Sequence, residues 1–382
     1  MDNLTHSLVG LASAKAGLER LSPYATPVCL VSANIADADF VTLFFGDRWT
    51  LLQHHRGISH SIVGTLAIGF LVPLVAVAIE RLIVKARKTT ARIRFPGLLI
   101  ASLITAATHP FLDWTNNYGL RPFLPWSGRW FYGDLVFIVD PYIWLLLGGV
   151  CFLLTSNSRS QIRSWAILGS GIAMFIGFAT WRSGADAGPL RVVFVIWILV
   201  MLVLAIIRAS GSHKYVKRSA VIAALVLLVA YWGVLTFAHR SALADTFLVA
   251  NKVTATRRES LVRIAAMPTL ATPLEWQSVA ETDLAMYRFT VEVGNDKNGA
   301  SKSVAWRRYE KPTGQTAQLV SSAERDRRAQ ILFGFARFPI GRVNEDNCVG
   351  QALVQFADLR YTEPGASRGN FSVNVPVDCP AR

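Results

Sequence analysis

Gln53-His54-His55-Arg56-Gly57-Ile58-Ser59-His60-Ser61 places three of the chain's seven histidines and one arginine directly ahead of a long apolar run. That run, about 61–83, meets the roughly 20 residues a helix needs to cross a bilayer. Imidazoles and a guanidinium are expensive at the mouth of such a segment and usually serve an ion or a substrate there. The stretch therefore marks a membrane protein with chemistry at the entry to its first long span. Two other unusual pieces answer to it: Ile35-Ala36-Asp37-Ala38-Asp39 upstream and His109-Pro110-Phe111-Leu112-Asp113 downstream.

Composition agrees with the membrane reading. Only 17% of the 382 residues are charged, 52% are hydrophobic and the mean hydropathy is +0.36, whereas soluble domains carry about a quarter charged residues. The net charge of +14 is uneven: residues 1–239 hold 20 Lys+Arg against 10 Asp+Glu, and residues 240–382 hold 19 against 15. The basic residues of the first part lie between apolar runs, so the high pI is no sign of nucleic-acid binding. Met1-Asp2-Asn3 lacks the basic start of a cleavable signal peptide. Four cysteines are too few for a disulfide framework. Cys29 and Cys151 lie in apolar runs, while Cys348 and Cys379 share the tail and could pair in an oxidising compartment.

Residues 4–19 read as a short amphipathic helix, broken by Ser22-Pro23, and 24–36 as a second short apolar piece. A hairpin of two short or re-entrant helices fits both. Six spans follow, at about 61–83, 97–113, 135–154, 165–181, 190–207 and 219–237. Three alternate loops, 81–94, 155–163 and 208–218, carry twelve basic residues, and 114–134 and 182–191 carry four. Lys and Arg concentrate on the cytoplasmic side, which places His55, His60, His109, Asp113 and the tail at the outer face. The tail opens with a polar helix, about 240–265, then Pro268 and Pro273 predict a linker. Alternating runs at 286–291, 331–335, 352–356 and 371–375 predict strands.

The expected fold is thus an α-helical polytopic membrane domain, with an N-terminal short-helix hairpin and about six transmembrane helices, followed by a small, mainly antiparallel β extracytoplasmic domain. The expected divisions are a membrane domain over 1–239, a helical connector over 240–267 and a soluble β-rich domain over 268–382.

His109 and Asp113 are spaced i, i+4, so both leave one helix face and can grip one ion. Asp37 and Asp39 diverge by about 200° on a regular helix, so sharing an ion requires an extended or helix-terminal backbone. Two carboxylates beside a membrane raise their pKa and neutralise unless a cation offsets them. In the opening stretch Gly57 interrupts the geometry, Ser59 is a natural helix N-cap and Ser61 opens the span. Arg56 offers a planar donor fork suited to phosphate. His6 opens the first helix, which the hairpin returns to the outer face. His54 reads as a neighbour of the ligands, His213 and His239 as bland, Asp134 as a helix cap, and Asp140 as harder to dismiss. The plain alternative for each group is a solvated turn, a capped helix end or a surface loop.

His6, Asp37-x-Asp39, His55-Arg56-Gly57-x-x-His60-Ser61 and His109-x-x-x-Asp113 followed by Gly119 together resemble the YdjM-like family of bacterial inner-membrane proteins, described as membrane-bound metal-dependent hydrolases. The resemblance covers about 1–150, and Phe335–Tyr361 is also family-like. Ile35-Ala36 stands where the family shows Leu-Pro. The resemblance implies a multi-pass protein of the bacterial inner membrane. A fainter similarity to zinc-dependent phospholipase C enzymes rests on the His-x-x-x-Asp pair.

Seven candidate ligands, His6, Asp37, Asp39, His55, His60, His109 and Asp113, exceed what one tetrahedral zinc takes. One or two divalent ions are expected, zinc first and manganese second. Arg56 would steady phosphate charge, and Asp113 or Asp37 would be the general base. A lipid or another phosphorylated envelope precursor in the bilayer is the expected substrate, with no nucleic-acid partner and the oligomeric state open. The competing expectation is a non-enzymatic metal-binding protein, an envelope scaffold or a transporter. Transport would need polar residues along several spans, yet 165–181 and 219–237 hold no charged residue and 190–207 only Arg191.

Overall fold

Apolar runs become helices here wherever a polar cap or a proline can start them. The computed structural model describes residues 1–294, 305–344, 350–366 and 371–379. Nine α-helices come first among them: α1 Asn3–Lys15, α2 Ala25–Asn34, α3 Arg48–His54, α4 Ile62–Arg87, α5 Phe95–Trp114, α6 Pro141–Thr155, α7 Arg159–Ser183, α8 Gly188–Ala209 and α9 Arg218–Arg257. Asp2 caps α1, accepting from the Thr5 amide, and Ser61 caps α4, accepting from Gly64. The cap of α4 is therefore Ser61 and not Ser59.

Among the described residues, six helical stretches are long and apolar enough to cross a membrane: Ala25–Phe44, α4, α5, α7, α8 and α9. Two differ from the expected spans. The piece at 24–36 is not short, because 3₁₀ turns over Ile35–Phe44 extend α2 to 20 residues. The run at 135–154 yields a helix of only 15 residues. Asp140 accepts from the Tyr142 and Ile143 amides and Pro141 occupies the first turn, so the helix begins late. Asp140 also accepts from the Tyr231 hydroxyl, which accounts for a carboxylate at that depth. Asp134, expected as a cap, caps no helix among the described residues, the next one being α6 with Asp140 as its cap. Large apolar side chains such as Leu66 and Leu82 face outward from α4, as suits a lipid-facing surface and not a water-facing one.

The chain divides into two compact units, Met1–Ala38 with Arg56–Thr236 and Leu270–Pro273, and Asp39–His55 with Phe237–Thr269 and Leu274–Arg382. In the first, α1 is enclosed. Leu8, Val9 and Ala12 pack with Leu112, Ile143, Leu147 and Leu228, while Ala14 joins Cys29, Leu98 and Ala101. Gly10 permits the close approach of α2, since a Cβ there would stand 2.9 Å from Ala33 Cβ and 3.0 Å from the Cys29 carbonyl. The indole of Trp144 donates to Asp2 and Thr5 and fixes the start of α1. Cys29 and Cys151 are buried free thiols.

The second unit contains two sheets. One has the order β1-β2-β3-β4, from Leu261–Thr269, Thr272–Thr282, Ala285–Glu292 and Trp306–Glu310. The other runs β5-β6-β7, from Pro339–Val343, Gln351–Asp358 and Ser372–Asp378, in antiparallel pairs. α10 Gly314–Ala323 and α11 Arg327–Phe335 pack on the second sheet. No separate linker stands at Pro268 and Pro273, which lie in β1 and β2. The strand expected at 331–335 is α11 instead: Asp326 caps it, and Ala329, Leu332 and Phe335 are buried at a spacing of three. The helix expected at 240–265 is the end of α9 and stops at Arg257, with β1 beginning at Leu261; Ala242 and Ala250 pack against Trp276, Tyr287 and Phe289.

Glu259, just past α9, accepts from Thr282, Tyr287 and Arg308. Burial alone would raise its carboxyl pKa, but those three donors hold it below the ordinary value. Cys379 is disulfide-bonded. The other half of the expected pairing, Cys348, lies outside the described residues.

Candidate metal centre

Five of the expected ligands meet in the first unit. His109 and Asp113 leave the last turns of α5 on one face, His60 ends a 3₁₀ turn before α4, Asp37 follows α2, and His6 comes from α1. His6, His60, His109 and Asp113 have no exposed surface, and Asp37 keeps 8%. His60 Nε2 lies 3.0 Å from His109 Nε2, 3.2 Å from Asp37 Oδ1 and 3.2 Å from Asp113 Oδ2. His109 Nε2 lies 3.6 Å from Asp37 Oδ1 and 3.5 Å from Asp113 Oδ2. An ion with four tetrahedral bonds of about 2.1 Å spaces its donors about 3.4 Å apart. The five observed separations bracket that spacing.

The protonation pattern fits as well. The Nδ1–H of His109 donates to the Ala33 carbonyl at 2.7 Å, which leaves Nε2 as a lone-pair donor aimed into the cluster. His60 Nδ1 lies 3.0 Å from Ser59 Oγ, so the serine expected as a cap orients the ring instead. Partners of this kind on the remote nitrogen are the usual means of aiming a histidine at a metal. Among the described residues, neither nitrogen of His6 has a hydrogen-bond partner. Its ring stacks on His109 at 3.8 Å, and its Nε2 lies 3.5 Å from Asp113 Oδ1. A buried imidazole without partners is costly in an apolar interior, and an ion in the cluster would give it one.

Arg56 is 3% exposed, with Nη2 3.0 Å from Asp113 Oδ1. Its Nη1 donates to the carbonyls of Asp113 and Gly119 and to Asn116 Oδ1, and its guanidinium stacks on Tyr118. The fork expected to meet phosphate is thus engaged by the protein and holds Asp113 in place. Gly119 makes this hold possible. Its φ is +81°, and a Cβ would stand 2.5 Å from the Tyr132 ring.

Residues 1–185, which contain every member of this cluster, match the model of the YdjM inner membrane protein family. That similarity, over a little under half of the chain, stands beside six candidate spans among the described residues. No curated protein and no solved structure matches the chain.

Within the matched segment, the buried Asp37, His60, His109 and Asp113 form a group that can hold a metal ion. Asp39 and His55 form their own pair in the second unit, His55 Nδ1 lying 3.0 Å from Asp39 Oδ1, with Phe40 against the imidazole. His54 is exposed at the end of α3. Sequence reasoning missed Ser59 as an orienting group, the Ala33 carbonyl, and Asn116 with Tyr118 around Arg56. A signal existed for Asn116-Asn117-Tyr118-Gly119, a turn-forming run just after the His-x-x-x-Asp pair.

Proposed function

We propose that the matched segment is a membrane-embedded, metal-dependent hydrolase, acting at the outer face of the inner membrane on a phosphoester of a lipid or envelope precursor. The observation that carries this reading is the convergence of Asp37, His60, His109 and Asp113 at the spacing of a four-coordinate ion. Zinc suits the mixed imidazole and carboxylate donors best, with manganese second. When bound, the ion would supply Lewis acidity toward a substrate oxygen and toward water.

The chain's own groups do the rest. Ala33 and Ser59 aim the two imidazoles, and Arg56 holds Asp113 while balancing its charge. Asp37 keeps 8% of its surface exposed, so water and substrate arrive there; its Oδ1 faces the two imidazoles, and its second oxygen is the one left to accept a proton from water. A lipid substrate is supported by the outward-facing apolar side chains of the spans that carry the cluster, such as Leu66 of α4. The outer-face assignment rests on the Lys/Arg asymmetry of the loops.

Deep burial favours a second reading, a closed structural metal that braces the helices. Lipid-phosphate hydrolysis by full-length, detergent-purified protein separates the two. The hydrolase reading expects turnover that falls at least about 100-fold in Asp37→Asn. Metal-loaded wild-type protein that hydrolyses no lipid phosphate, yet melts earlier on chelation, would establish the brace and end the hydrolase reading.

A further inference from the structure

Away from the metal centre, a groove of about 700 Å³ opens between α2, α4 and the segment at 89–93. Its walls are apolar and belong to candidate spans: Val31 from α2, with Val72, Val75 and Ile79 from α4. Its end is basic. Arg87 and Arg92 line it, together with Thr89 and Thr90, and all four are exposed. Among the described residues, neither guanidinium has an ion-pair or hydrogen-bond partner. The one carboxylate in the lining, Glu80, turns to the backbone and accepts from the Arg92 and Ile93 amides at 2.7 and 3.0 Å. The segment 81–94 contains six basic residues and no acidic one.

A hydrocarbon slot in the bilayer that ends in two unpartnered guanidiniums is complementary to one molecule class: an acyl chain joined to an anionic phosphate. Arginine pairs grip phosphate through their planar forks, and basic pockets between spans hold anionic headgroups. We propose that this groove binds an anionic phospholipid, with the phosphate between Arg87 and Arg92 and an acyl chain along Val31, Val75 and Ile79. The site is separate from the metal centre and does not depend on its chemistry. The loop asymmetry assigns it to the cytoplasmic leaflet.

Native mass spectrometry of the full chain, released from nanodiscs of phosphatidylglycerol or phosphatidylcholine, tests this. Wild-type protein should retain phosphatidylglycerol preferentially. Arg87→Gln and Arg92→Gln should each weaken retention about fivefold, and the pair about 25-fold. Val31→Trp, which fills the slot and spares both charges, should reduce retention as well. Glycerol phosphate without acyl chains should displace nothing. Equal retention of the two lipids, unchanged retention in the double variant or in Val31→Trp, or displacement by glycerol phosphate would each overturn the proposal.

Discussion

Removing Arg56 should destabilise the matched segment mainly by taking from the buried Asp113 one of two cations that contact it, the other being the Met1 ammonium. Asp113 is fully buried, and its Oδ1 faces the Arg56 Nη2 at 3.0 Å. Breaking a buried pair by deleting one partner costs about 3–5 kcal/mol when the other is left alone, and the Met1 ammonium on Asp113 puts this case at or below the lower end of that range. The carbonyl of Gly119 also loses its donor, a further loss of about 1–3 kcal/mol if the turn does not relax, while Asn116 Oδ1 keeps the Tyr118 amide. Arg56→Met in chelator-treated protein is therefore expected to lose about 4 kcal/mol in reversible unfolding from mixed micelles. Because part of the cost is a buried charge left under-compensated, adding Asp113→Asn should recover some of it, and the double variant should be more stable than Arg56→Met alone. Arg56→Lys keeps the charge but cannot span both Asp113 and the 116–119 turn, so an intermediate loss is expected. Additive losses in the double variant, or less than about 1 kcal/mol for Arg56→Met, would refute the reasoning.

Gly119→Ala should cost more than about 1 kcal/mol, because φ is positive there, and it should lower metal retention by shifting Arg56; a wild-type melting temperature would contradict this. The carboxyl of Glu259 is held below its unfolded value by Thr282, Tyr287 and Arg308, so its stabilisation is complete above the unfolded pKa near 4.5 and is lost as pH falls through the lower folded value. Acid unfolding of the second unit, followed by tryptophan fluorescence, should lose part of its pH dependence below that point in Glu259→Gln; identical pH profiles would count against it. A periplasm-active reporter fused after Arg382 should give signal, and a silent fusion that is active with a cytoplasmic reporter would reverse the orientation.

What could be read in advance follows a physical divide. His109 and Asp113 were legible as one group because helical spacing alone puts i and i+4 together. His60 was legible because an imidazole ahead of an apolar span is expensive, and His6 and Asp37 entered through the pattern they complete. The Ala33 carbonyl that sets the His109 tautomer is backbone, and no residue type announces it. Arg56 was legible as important, but the partners that engage it were not, since Asn116 and Gly119 lie 60 and 63 residues on. The short run Ile331–Phe335 is consistent with a strand or a buried helix turn, and only the Asp326 cap with the spacing of Ala329, Leu332 and Phe335 decides it. Pro268 and Pro273 suggest a break, yet strands accept proline at their ends and edges.

Metal content of the purified full-length chain tests the centre most directly. Elemental analysis should find about one tightly held divalent ion per wild-type chain, as four converging donors require, and close to none in His60→Ala and His109→Ala that still elute as folded protein. Equal metal in all three preparations, or none in the wild type after purification with zinc and manganese supplied, would contradict the account.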